Sequence, residues 1–305
     1  DWRFGRFAAL VLTLQAIVLL LIFLDGYGLV PLYLRGLLTF LFYSYVPGLV
    51  LLRVLRMHNL GGVMTTLPFT LPVVTIGQTA ILLSLLGLAF VSDRRYGSEP
   101  MLDISPFLTV PAFALYSLPL VAVLATYLLN GWNIAWLQII LLLIIAAALL
   151  ALLITRVPSH LYPVAVICIA LAVLFHTSLV SRFVVEWADI SFEYWSANRT
   201  LLNGFWTMTS GARTDSVLSV TILAPMYVLQ TGLDLNIMFK VCYPALFSFI
   251  PLGVFCMARD RIGSRGALLS AFLIISGAVF FTEFLGLARQ IVAELLLIAS
   301  ARSSA

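Results

Sequence analysis

One segment, residues 182–215, interrupts an otherwise apolar chain with acidic and aromatic side chains. It carries three carboxylates, Glu186, Asp189 and Glu193, at positions i, i+3 and i+7. On a helix this spacing puts all three on one face. Only 10% of the residues in the chain are charged, so such a concentration of ionisable groups stands out. We therefore predict that the functional site lies in this segment, at the surface of a membrane.

Two kinds of chemistry suit carboxylates in this position. Asp189 and Glu193 could hold a divalent cation, and hard oxygen ligands favour Mg²⁺ or Mn²⁺, which keep water ligands and accept phosphate oxygens. Alternatively, one carboxylate acts as general base toward an acceptor hydroxyl, because a carboxylate beside low-dielectric lipid is a stronger base than one in water. The simplest alternative is an amphipathic interfacial helix whose acids face water and whose aromatic residues lie among the headgroups.

The composition of the chain is that of a membrane protein. Hydrophobic residues make up 62% of it and the mean hydropathy is +1.10, whereas soluble domains contain roughly 45–50% apolar residues. Each crossing of the bilayer needs about 20 apolar residues. The apolar windows are 7–24, 37–55, 68–91, 107–129, 132–154, 161–181, 237–258 and 267–299, with 216–231 as a doubtful ninth. The net charge of +4 is dispersed, so we expect no nucleic-acid partner.

These windows predict an all-α fold, because backbone groups in lipid must pair within their own segment. We expect a polytopic bundle of eight or nine transmembrane helices, with an interfacial helical loop at 182–215. Residues 1–155 would form an amino-terminal transmembrane extension, and residues 156–305 a core that contains the acidic loop. We also expect the chain to be truncated at its carboxyl end.

A second polar feature lies in the last window. Glu283, Gln290 and Glu294 fall at i, i+7 and i+11 on one helical stripe, beside Arg289. An ionisable group inside a span costs about 2.5–3.5 kcal/mol on insertion scales, so the stripe should face protein or a watery cavity. We predict that Arg213, Arg289, Gln290 and Glu294 bind the substrate, with an arginine on its phosphate. The alternative is an ion pair between Arg289 and a glutamate that fixes helix packing.

Positive charges in short loops favour the cytoplasm, and here they give conflicting answers. Arg3, Arg6, Arg53 and Arg56 favour a cytoplasmic amino terminus, and six alternating spans would then put the acidic loop in the cytoplasm. The cluster at 259–265 is also a cytoplasmic candidate, and it puts the acidic loop outside if 216–231 only dips into the membrane. A miscounted span in residues 1–155, or a missing amino-terminal helix, would remove the conflict. We predict an extracytoplasmic loop in an integral protein of the plasma membrane.

Four segments of the chain carry a resemblance to a known family. They are Asp189–Glu193 in the loop after a span, Asn203-Gly204-Phe205-Trp206, Thr221-Ile222-Leu223-Ala224-Pro225, and Leu287–Glu294. Over roughly residues 160–300 the chain resembles uncharacterised archaeal multi-span proteins that look like GT-C integral-membrane glycosyltransferases. That superfamily commonly has its two loop acids adjacent or one residue apart, whereas three residues separate Asp189 from Glu193.

The resemblance implies a transferase that moves a sugar from a polyprenyl-phosphate carrier to an acceptor at the outer membrane face. Asp189 would be the base or metal ligand, with Glu193 or Glu186 as its partner. Two other functions fit the same residues. One is a transporter or flippase for a lipid-linked or small polar substrate, with the polar stripe as its pathway. The other is a non-catalytic scaffold of a glycan-assembly complex.

Overall fold

The fold is described from a computed structural model that places residues 4–55, 75–97, 108–154, 157–181, 184, 189–208, 213–282 and 284–303. Within these ranges all regular secondary structure is helical, which confirms the all-α prediction. The α-helices in chain order are α1 (Phe4–Asp25), α2 (Leu32–Leu55), α3 (Thr75–Tyr96), α4 (Val110–Trp132), α5 (Trp136–Ile154), α6 (Tyr162–Ser178), α7 (Ile190–Asn203), α8 (Leu218–Thr221), α9 (Leu223–Thr231), α10 (Leu235–Ile237), α11 (Tyr243–Phe247), α12 (Phe249–Ser276), α13 (Ala278–Phe281) and α14 (Ala288–Ser303).

Six helical segments among the described residues are long and apolar enough to cross a membrane. Nineteen helical residues already cover about 28 Å, close to the thickness of the hydrocarbon core. The six segments are Phe4–Asp25, Tyr33–Leu51, Val110–Trp132, Trp136–Ile154, Ser159–Ser178 and Leu235–Ser276. In Phe4–Asp25, Val110–Trp132 and Trp136–Ile154 no more than 33% of the residues are buried, as expected of lipid-facing helices, whereas Leu235–Ser276 is 72% buried.

The chain forms two compact units, and each is discontinuous in sequence. Unit 1 comprises Asp1–Leu102 and Ser196–Met238, and unit 2 comprises Asp103–Trp195 and Phe239–Ala305. This division differs from the consecutive regions 1–155 and 156–305 that the sequence predicts. The acidic segment contributes residues to both units.

In unit 1, α1 runs antiparallel to both α2 and α3. The Phe7 ring lies 4.6 Å from the Arg53 guanidinium, and the Phe4 and Phe90 ring centroids are 5.1 Å apart. Arg53 also bonds Asp93 at 2.5 Å, which joins the carboxyl ends of α2 and α3. The two helices are therefore parallel to each other, although they are consecutive among the described helices.

The parallel direction of α2 and α3 differs from the alternation on which the count from the loop charges depends. The spans were expected to alternate in direction, and that expectation is wrong for α2 and α3. Their connection, residues 56–74, lies outside the described residues, together with part of the predicted span 68–91. As a result Arg6, Arg53, Arg94 and Arg95 all lie at one end of unit 1.

In unit 2, α6 and the helical run from Phe239 onward are antiparallel. The Ser178 hydroxyl donates to the Lys240 carbonyl at 2.8 Å, and the Tyr194 and Phe239 rings are 5.5 Å apart. Residues 189–194 and Lys240 thus define one end of the unit, which we call the acidic end. From Lys240 the chain stays helical to Arg259, a rise of about 28 Å. Arg259, Arg261 and Arg265 therefore define the opposite, basic end.

The predicted single span at 267–299 is wrong. The helix α12 ends at Ser276, and among the described residues the short α13 and a 3₁₀ turn at Phe284–Gly286 come between it and α14. Gly277 is extended, with φ −68° and ψ 130°, and interrupts the helix there. The helix α14 then packs along the upstream part of α12, where a Cβ on Gly253 would lie 2.1 Å from Cγ2 of Ile298. Only glycine allows this close approach.

Candidate functional site

The helix α7 buries a glutamate and a serine and exposes a stripe of large apolar residues. Glu193, Ser196 and Ala197 are at most 1% exposed. Phe192, Trp195 and Leu202, which follow one stripe of the helix, are 64%, 50% and 78% exposed. A helix in water would show the reverse pattern. The interpretation in which the acids face water is therefore wrong for Glu193, which is fully buried.

Arg289, at the start of α14, brings the two predicted acids together at the acidic end of unit 2. Its Nη1 lies 3.1 Å from Oε1 of Glu193, and its Nη2 contacts Oδ2 of Asp189. The side chain of Asp189 is 48% exposed and that of Arg289 is 30% exposed, whereas that of Glu193 is completely buried. The three groups form a carboxylate–guanidinium–carboxylate cluster that is open to solvent on the Asp189 side.

Glu193 also stabilises the amino terminus of α14. The Arg289 backbone N–H donates to Oε2 of Glu193 at 3.4 Å, and the Ala288 N–H points to the same carboxylate. A carboxylate in this position satisfies unpaired N–H groups and interacts favourably with the helix dipole. Burial nevertheless raises the pKa of the Glu193 carboxyl above its ordinary value, against the opposing effects of the Arg289 charge and the two N–H groups.

This arrangement does not fit the predicted Mg²⁺ or Mn²⁺ site on Asp189 and Glu193. The Arg289 guanidinium lies between the two carboxylates, and both oxygens of Glu193 are engaged by Arg289. Within the described part of the chain, no three His, Cys, Asp or Glu side chains come together as metal ligands. Glu186, the third predicted carboxylate, lies outside the described residues.

The other predicted site residues are only partly placed. Gln290 and Glu294 lie on α14 at i and i+4, both half-buried. The helix α14 begins at Ala288, after a 3₁₀ turn at Phe284–Gly286, so its polar stripe starts no earlier than Ala288. Glu283 and the side chain of Arg213 lie outside the described residues. Arg289 pairs with a glutamate, as the packing alternative predicted, and in addition it contacts Asp189.

The polar segment also forms an ion pair within unit 1, between two of its residues to which the sequence gave no individual role. Arg199 on α7 and Asp215 are 2.8 Å apart, and the side chain of Asp215 is 2% exposed. The Trp206 indole N–H donates to the Asp215 carbonyl at 2.9 Å, and the Ser196 and Thr214 hydroxyls are 2.8 Å apart. These contacts hold the segment after α7 against the helix. Opposite charges in one short polar segment were the only signal in the sequence.

Comparison with protein-family models, with curated proteins and with solved structures finds no match to this chain. The resemblance to GT-C glycosyltransferases therefore stays a prediction. The geometry of the Asp189–Arg289–Glu193 cluster is the evidence that bears on function.

Proposed function

We propose that this chain is the membrane core of a glycosyltransferase that moves a sugar from a polyprenyl-phosphate carrier to an acceptor at the outer face of the plasma membrane. The observation that supports it is the cluster at the acidic end of unit 2. There a half-exposed carboxylate, Asp189, touches a guanidinium, Arg289, that a buried carboxylate anchors.

This pair supplies the two groups that the reaction needs. Asp189 takes the proton of the acceptor hydroxyl, and the acceptor oxygen forms a bond to the anomeric carbon of the sugar. The bond from that carbon to the carrier phosphate breaks, and the phosphate leaves with the electron pair. Arg289 stabilises the negative charge on the leaving phosphate. Glu193 is a positioning residue, since it is buried and holds Arg289.

Two further observations support the membrane topology in the proposal. The segment Leu235–Ser276, at 42 residues, is long enough for two crossings. In the proposed topology this segment crosses twice and α3 also crosses, which adds two crossings to the six segments; residues 56–74 lie outside the described residues and are not counted. In unit 2 the arginines Arg259, Arg261 and Arg265 lie at the end opposite the acidic end, and the positive-inside rule assigns that basic end to the cytoplasm. The acidic end then faces outward.

The test is transfer by the purified protein in proteoliposomes, with a polyprenyl phosphate that carries a radiolabelled hexose and with water or a sugar as acceptor. Asp189→Asn should lower the rate at least about 100-fold, the usual contribution of a general base. Asp260→Asn changes an exposed carboxylate at the basic end and should leave the rate unchanged. Release of label from the carrier by Asp189→Asn at the wild-type rate would contradict the proposal. Movement of intact carrier across the bilayer would favour the flippase.

A further inference from the structure

The two carboxylates hold Arg289 in very different ways. Glu193 is fully buried, forms an ion pair with the guanidinium of Arg289 and accepts from its backbone N–H. Asp189 is half exposed, and among the described residues its carboxylate touches the Arg289 guanidinium alone. Arg289 therefore has one fixed carboxylate partner and one at the solvent edge.

The exposed contact is the one that another anion can replace. Water already solvates Asp189 and competes for Arg289, so an ion pair of this kind contributes little net stability. Separating Glu193 from Arg289 would instead leave a charge unpaired in the interior, which is strongly unfavourable. An incoming anion therefore meets a guanidinium that Glu193 holds in place, and it can replace Asp189 as the second partner of that guanidinium.

We propose that Asp189 is an exchangeable counterion: a phosphate group displaces it from Nη2 of Arg289, and the same exchange frees the Asp189 carboxylate. The ligand class is a phosphate mono- or diester with its oxygens paired to the planar guanidinium. In the transferase this coupling makes Asp189 available as a base only after the carrier phosphate has bound, and to that extent the inference rests on the proposed function. Without bound phosphate, Asp189 remains neutralised by Arg289.

The test measures anion binding and not turnover. Farnesyl phosphate and inorganic phosphate are titrated, by calorimetry, into the protein in nanodiscs. Removing the competing charge with Asp189→Asn should tighten phosphate binding about threefold to fivefold, the upper range for loss of an exposed ion pair. Arg289→Lys, which keeps the charge and loses the planar fork, should weaken binding at least tenfold. Asp260→Asn, at the basic end, should leave it unchanged.

Each outcome decides the question. Binding of both ligands with this pattern supports a general phosphate site, and binding of farnesyl phosphate alone supports a site for a lipid headgroup. If neither ligand binds, or if Asp189→Asn binds no more tightly than the wild type, the exchange is wrong. Tighter binding without any sugar transfer by the wild type would overturn the proposed function alone. Loss of transfer in Asp189→Asn without tighter binding would overturn the exchange alone.

Discussion

Replacing Arg289 by methionine should destabilise unit 2 because it leaves Glu193 as a buried charge without a cationic partner. Removing one partner of a fully buried ion pair costs about 3–5 kcal/mol. Arg289 is 30% exposed, and the two backbone N–H groups still bind the carboxylate, so we expect about 2 kcal/mol. For a unit of this size that corresponds to a fall in Tm of about 5 °C.

The cysteines of the chain provide the assay. Cys168, Cys242 and Cys256 are at most 5% exposed, and all three belong to unit 2. A thiol-reactive fluorogenic dye therefore reports the unfolding of this unit during a temperature ramp. Arg259→Met is the matched control, since Arg259 pairs with its neighbour Asp260 at the surface, and its Tm should change by less than about 1 °C.

The double variant Arg289→Met/Glu193→Gln separates loss of the charge pair from loss of packing. It removes both charges, so it should regain most of the Tm lost in Arg289→Met. The reasoning is refuted if Arg289→Met is no more destabilising than Arg259→Met. It is also refuted if the double variant loses as much Tm as the two single changes added together.

Three further predictions follow from burial and charge. Burial raises the pKa of Glu193 above its ordinary value of 4.5, so its contribution to stability is full below pH 4.5 and is lost as the pH rises through the folded-state pKa. The Tm of the wild type should therefore fall relative to that of Glu193→Gln between pH 4.5 and 8. A rise in Tm relative to Glu193→Gln would contradict the raised pKa. In unit 1, Arg53→Met should lower the free energy of unfolding by about 3 kcal/mol, because the side chains of Arg53 and Asp93 are only 7% and 8% exposed. The double variant Arg53→Met/Asp93→Leu should have a free energy of unfolding closer to that of the wild type. Urea unfolding followed by circular dichroism measures both. A nitroxide on Phe192→Cys should collide with oxygen more often than with a water-soluble nickel complex, since its stripe on α7 is exposed and apolar; preference for the nickel complex would mean that the stripe faces water.

Composition was sufficient to predict the helical fold and most of the spans. Long apolar runs such as 132–154 permit only a helix in lipid, and the structure has α5 there. The break after Ser276 was not visible, because Gly277 and the residues around it are as apolar as a continuous span. The parallel direction of α2 and α3 was missed for a related reason, since hydropathy gives the position of a span and not its direction.

The candidate site was only half predictable. The polar segment at 182–215 and the polar residues of α14 were each identified from local composition. The contact between these two regions could not be predicted, because Asp189 and Arg289 are 100 residues apart and no local pattern encodes such a contact. The sequence also did not show that Glu193 faces the interior of the protein. A glutamate that pairs with a distant buried arginine has the same position in the helical pattern as a glutamate that faces water.

The sidedness of the acidic end tests the account most directly. Ser191 is exposed beside Asp189 at the acidic end, and Asp260 is exposed at the basic end of the same unit. Because the native cysteines are buried, Ser191→Cys and Asp260→Cys can each be labelled in intact cells with an impermeant maleimide. The account predicts that Ser191→Cys reacts in intact cells and that Asp260→Cys reacts only after the cells are opened. The opposite pattern would place the cluster in the cytoplasm and contradict sugar transfer at the outer face.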